Sequence, residues 1–172
     1  TVLRLGLLGI NHHNPQYFPL MVGNYILGGG ALVSRLAEEL REKRGLTYGV
    51  HSQFIPLPKR GPFLIGLSTK NAQAKTAEDL TRETLSQFIK AGPSEVELKA
   101  AKQYLIGSFP LSIASNQSKA AILLKMAFYG LPDDYLETYK SRIDAVSQHE
   151  IQSAFQKHVA PTKLLQVMVG QV

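Results

Sequence analysis

Cysteine is absent, which excludes disulfide staples, thiol nucleophiles and thiolate metal sites, and leaves the redox compartment open, since cysteine-free chains occur everywhere. No apolar run approaches the roughly 20 residues that a membrane span requires, so no membrane-spanning helix is expected. Runs of like charge are missing too. The net charge is +6, but the bases are scattered; Arg41, Lys43 and Arg44 form the densest group, and Lys59 with Arg60 lies in a turn. Without interleaved surface aromatics or a nucleic-acid motif, this surplus reads as a solvated basic surface, and no nucleic acid is expected as partner. Repeats and low-complexity linkers are also lacking. The first residue is Thr1, with neither a methionine nor a signal-like segment, so the chain reads as a piece of a longer polypeptide whose targeting signals would lie upstream.

Of the 172 residues, 44% are hydrophobic and 19% charged, the ordinary range for a soluble globular domain. A chain of this length can bury about 70% of its unfolded surface, so one module over residues 1–172 needs no staple to fold. Alternation predicts a strand over Val2–Ile10, with Leu3, Leu5 and Leu7 on one face. A buried helix over Tyr17–Leu27 should end at Gly28, Gly29 and Gly30, followed by a second over Leu32–Lys43 that carries a ridge of Leu32, Leu36 and Leu40. Gly45 can take the left-handed conformation that stops it. Thr47–Ile55 and Phe63–Thr69 then read as an antiparallel hairpin joined by the loop PLPKRGP.

Helical signals dominate the rest. Leu80, Leu85, Phe88 and Ile89 mark one helix, closed by Gly92 and Pro93; Ser94 with Glu97 forms a capping box for the next, which carries Leu98, Ala101, Leu105 and Phe109. Ala120–Phe128 is apolar nearly all round and predicts the most buried helix. A short helix follows Pro132 and Asp133, Ser147 with Glu150 caps a last one, and Leu164–Val169 makes a final strand. Strand, two helices, hairpin, several helices, strand: this order predicts an α+β fold, one mostly antiparallel or mixed sheet covered by helices, and not the alternation of a doubly wound nucleotide fold.

Most catalytic patterns are missing. Gly28–Gly30 is followed by Ala31, Leu32 and Val33, without the lysine and hydroxyl residue of a phosphate loop, and it follows a helix, so it reads as a helix-to-helix connection where backbones approach closely. His12 and His13 are adjacent in a turn, His51 is in a strand, and His149 and His158 are nine apart; neither HExxH nor HxxEH occurs, and no metal site is expected in this chain. No serine sits in a GxSxG turn. Arg41 and Tyr48 are left, seven residues apart where a helix meets a strand. Together they could grip a peptide carbonyl or the oxyanion formed from it. Equally, the arginine could offset the helix dipole and the tyrosine could pack, and spacing alone leans to that structural role.

Three separated stretches, LGGGALVSRL, LREKRGLTYGV and FYGLPDDYLETYKSRIDAVS, resemble in order the second module of bacterial zinc peptidases related to pitrilysin and the mitochondrial processing peptidase, the inverzincins. The resemblance runs over nearly the whole chain. It implies two homologous modules, in one parent chain or on paralogous subunits, facing each other across a chamber. The first bears the zinc motif HxxEH, whose zinc polarises water for attack while a glutamate takes the proton. The second carries no metal and reaches the peptide through an arginine and a tyrosine, here Arg41 and Tyr48, as catalytic and substrate-binding residues. The glycine stretch of the substrate site falls on Gly28, Gly29 and Gly30. On this reading zinc sits on the partner module, the chain alone does not hydrolyse peptides, and a bacterial periplasmic or cell-envelope location is expected. The alternative is a catalytically inactive structural or peptide-binding homologue.

Overall fold

In the computed structural model, which describes residues 1–170, four strands form a single antiparallel sheet in the order β2-β3-β1-β4. β1 spans Val2–Leu8, β2 Thr47–Phe54, β3 Pro62–Thr69 and β4 Leu165–Val169. The Thr47–Thr69 hairpin forms as expected, and Arg60 of its proline-rich loop donates to the carbonyls of Gly9 and Leu8, fastening the loop to the end of β1.

The helices lie on one face of the sheet. α1 (Tyr17–Asn24) runs into a π-helical turn (Tyr25–Gly29); α2 (Arg35–Ala37) runs into another (Glu38–Glu42). α3 (Ala74–Ala91), α4 (Glu95–Ser112), α5 (Asn116–Tyr129), α6 (Tyr135–Ala145) and α7 (Gln148–His158) follow. Leu3, Leu5, Phe63, Ile65 and Leu67 point from the sheet into a core completed by Leu20, Leu27, Leu36, Leu40, Leu85, Phe88 and Phe155. Both capping boxes form: Ser94 and Ser147 accept from the backbone N–H groups of Glu97 and Glu150, whose carboxylates accept in return from the serine N–H groups.

Two expectations fail. The second helix starts at Arg35, not Leu32: Ala31 has a left-handed φ of 48°, and Ser34 takes the cap position, its hydroxyl donating to Ala31 O and accepting from Ala37 N. Leu32 is therefore exposed, and the leucine ridge consists of Leu36 and Leu40. The helix around Ala120–Phe128 is the reverse of most buried. Within α5 only Met126 is buried, while Leu124 and Phe128 are 71% and 67% exposed. An apolar surface all round signals burial only where other elements surround the helix, and α5 lies outside the layer that α1, α3 and α7 build on the sheet.

Candidate functional site

Three elements pack together at one corner of the sheet: the glycine turn after α1, the π turn after α2, and the start of β2. Gly28 permits the first contact, since a Cβ there would come within 2.5 Å of Ser52 Oγ and 2.8 Å of Ser52 N. Beside it Asn24 brackets Ser52, donating from Nδ2 to the carbonyl at 3.0 Å and accepting the hydroxyl at 2.8 Å. Gly28 and Gly30 are buried and Gly29 is exposed, at the mouth of a cavity of about 190 Å³ walled by Met21, Tyr25, Phe54 and Leu105.

Arg41 lies in the second π turn, a wide turn of the kind found disproportionately at functional sites. Gly45, at φ +59°, ends it, with Gly45 N donating to Arg41 O and Leu46 N to Leu40 O. Its two basic neighbours are neutralised: Lys43 pairs with Glu38 and Glu39, and Arg44 with Glu39, whose carboxyl these two cations hold below its usual range against the opposing effect of burial. Among the described residues Arg41 pairs only with Glu42, at 3.5 Å with an exposed carboxylate, and its guanidinium lies 5.3 Å from the centroid of the Tyr48 ring. A cation–π contact at such an exposed place is worth about 0.5–1 kcal/mol, enough to bias a rotamer and too little to lock one.

Tyr48 owes its direction to a β-bulge. Thr47 pairs with Thr69 and Val50 with Leu67, so Tyr48 and Gly49 together oppose one residue of β3. The bulge is pinned by the Thr47 hydroxyl, which lies 2.6 Å from Ser68 O and accepts from Gly49 N, and by the Thr69 hydroxyl, which donates to Leu46 O. As a result Tyr48 is 90% exposed. A tyrosine there for packing would be covered; this one is held out into solvent beside an arginine whose N–H groups can donate to a ligand's oxygen.

Arg35, which sequence reasoning missed, holds the corner rigid. Nε and Nη2 donate to the two carboxylate oxygens of Glu97 at 2.6 and 2.7 Å, Nη2 also reaches Gly92 O at 3.0 Å, and the guanidinium lies over Phe88. Burial alone would raise the Glu97 pKa, but Arg35 and the Ser94 N–H and hydroxyl outweigh it and hold it at about 2. One carboxylate thus caps α4 and ties α2, the base of the Arg41 turn, to α4.

The residues do not fit a zinc ion. Among the described residues no group of three or more histidine, aspartate or glutamate side chains converges. His12 is stacked between Tyr17 and Tyr129, His158 is bonded to Gln16, and His51 is exposed on the open sheet face, across Gly66 from the Arg4 guanidinium. No helix is long and apolar enough to cross a membrane among those residues.

The sequence model of the family described as "Peptidase M16 inactive domain" matches residues 1–105, a stretch that includes Arg41, Tyr48 and the three glycines. The chain is 32% identical over 135 residues to the "Non-peptidase homolog YmxG" of Helicobacter pylori, covering 78% of this chain and 31% of that protein. It is 32% identical over 117 residues to the "Uncharacterized zinc protease YmxG" of Bacillus subtilis, covering 68% and 28%. A crystal structure of a peptidase M16 inactive domain from Pseudomonas fluorescens superposes with a TM-score of 0.91 at 39% identity, covering 99% of this chain and 42% of that one. The chain thus spans about a third or less of the length of the curated relatives it matches.

Proposed function

The chain belongs to the family of M16 peptidase inactive domains, and from that premise we propose that it is the non-zinc half of a two-module peptidase, completing the chamber of an HxxEH-bearing companion and holding its peptide substrate. The companion, in the same parent chain or on a paralogous subunit, is where the zinc belongs. The observation that carries the reading is the exposure of Tyr48 on its pinned bulge, with Arg41, the least neutralised base of its turn, over the ring. The guanidinium and the phenol present fixed donors to a peptide carbonyl and to the negative charge that develops on it. Gly29 offers exposed backbone to an extended peptide, Gly28 and Gly30 give that turn its shape, and the cavity beside Gly29 has the volume of one side chain. Asn24 already occupies the Ser52 carbonyl of edge strand β2, which favours strand addition of the peptide on the companion.

The test is turnover by the assembled peptidase. Arg41→Ala and Tyr48→Phe should each lower kcat about 10²–10³-fold, as removal of one oxyanion donor does, and leave the circular dichroism of this chain unchanged. Wild-type turnover in both variants would remove the site assignment. The isolated chain should neither cleave peptides nor bind zinc tightly, and tight binding in calorimetry would count against the whole reading. A second reading, a catalytically inactive structural or peptide-binding homologue, draws support from the name of the Helicobacter pylori relative, a non-peptidase homologue. It predicts peptide binding without turnover in the assembly. A periplasmic or cell-envelope location, checked by fractionation of the source cells, is part of the proposal.

A further inference from the structure

Between the openings of α1 and α6 lies a cavity of about 220 Å³, bordered by His12, His13, Phe18, Leu131, Tyr135 and Arg142. None of Arg41, Tyr48 and the three glycines borders it, so it is a place apart from the Arg41 corner. Its volume falls below the roughly 300–1,000 Å³ of pockets for drug-sized ligands, which limits an occupant to a group of side-chain size.

His12 is 5% exposed and stacked between Tyr17 and Tyr129, yet neither ring nitrogen has a hydrogen-bond partner among the described residues. A buried polar group left in that state is costly, and a phenylalanine would stack there without the cost. Burial first and the Lys125 ammonium second hold the ring's pKa below its usual value, so at pH 7 it is neutral and keeps one N–H. The guanidinium of Arg142 rests 5.7 Å from the centroid of the Phe18 ring and has no carboxylate in ion-pair reach among the described residues. Both helices open at the cavity without a capping bond from the N-cap side chain, and α1 has no acid in its first turn. Asp133, Asp134 and Glu137, near the start of α6, are exposed and are not among the cavity walls. A cation, a buried N–H and two positive helix ends select a negative group; Phe18 and Leu131 beside them select an apolar body.

We propose that this cavity binds a carboxylate carried on an apolar group, held by Arg142 and the His12 N–H between the openings of the two helices. A free organic acid and the C-terminal residue of a peptide both offer that chemistry. Tyr129 covers the His12 ring from α5, a helix of which only Met126 is buried, so the cover can yield to a ligand. The site needs no companion module and stands independently of that reading.

The experiment titrates this chain with 3-phenylpropionate, and separately with N-acetyl-dialanyl-phenylalanine as the free acid and as the amide, by calorimetry and by the NMR shifts of the aromatic protons. At least one acid should bind with a Kd of about 1 mM or tighter. Binding of phenylpropionate alone makes the source a free acid, and binding of the peptide acid but not its amide makes it a chain end; each supports the site. Arg142→Gln and His12→Phe should each weaken binding about tenfold or more. His12→Phe keeps the stacking, so its melting temperature should not fall. Lys140→Gln removes the same charge from an exposed position on α6 outside the cavity and should bind as wild type. Failure of both acids to bind overturns the proposal, as does undiminished binding in Arg142→Gln and His12→Phe. Equal weakening in Lys140→Gln would overturn it too, by reducing the effect to diffuse attraction by a chain of net charge +6. Inorganic phosphate binding as tightly as phenylpropionate would overturn the ligand class.

Discussion

The segment from Ser34 to Leu46 and the helix α5 both carry leucines, yet one is buried and tied to distant elements while the other is largely exposed. Leu36 and Leu40 are fully buried, Ser34 caps, Gly45 stops, and Arg35 reaches across to Glu97 and Gly92. In α5 Leu123 and Leu124 face solvent, and burial is confined to Met126. Periodicity marks what a helix has available to bury. Polar contacts to elements distant in the sequence decide whether it does so here, and the anchored segment is the one that presents Arg41.

The contrast can be broken from its strong side first. Leu40→Ala should cost about 2–5 kcal/mol in urea denaturation, the range for truncating a fully buried leucine; a loss below 1 kcal/mol would mean the ridge does not hold the segment. Gly28→Ala should cost about 1–3 kcal/mol by overpacking against Ser52, and because Ser52 also takes bonds from Asn24 it should broaden the amide resonances of β2. Smaller still is the acid response of the Arg35–Glu97 tie. Glu97 has a folded pKa near 2 against an ordinary 4.5, so its contribution is complete above about pH 4.5 and is lost as pH falls towards 2. Melting followed over that window should show a slope that Glu97→Gln flattens. At the weak end, Leu124→Ala should change stability by no more than about 0.5 kcal/mol; a core-sized loss would show α5 to be anchored after all.

Local chemistry was legible in the sequence. Both capping boxes, the Gly45 stop, the hairpin and the α+β layering depend on neighbours a few residues apart, and all formed. The exposure of α5 was not legible, because its burial depends on what lies around it in space. Nor was the Arg35–Glu97 pair, 62 residues apart, nor the bulge at Tyr48, which exists only once Thr47 and Val50 have found their partners on β3. For the candidate site this matters: spacing gave the pair Arg41 and Tyr48, but leaned towards a tyrosine that packs. The exposed ring could be seen only after the register was known. One local signal went unread, since Ser34 three residues before Ala37 marks the true helix start, and the leucine spacing from Leu32 masked it.

The strand order also has a kinetic consequence. β1 sits between β3 and β4, so the first strand of the chain waits for the last: Val2 pairs with Val169 across nearly the whole sequence. Contacts of such separation close slowly, because the entropy of the long loop is lost before the pairing compensates it. The hairpin of β2 and β3 with β1 can assemble early and carry the Arg41 corner with it, whereas β4 docks last. During folding, the corner that presents Arg41 and Tyr48 is therefore formed before the far edge of the sheet, and the last strand closes a sheet whose candidate site already stands.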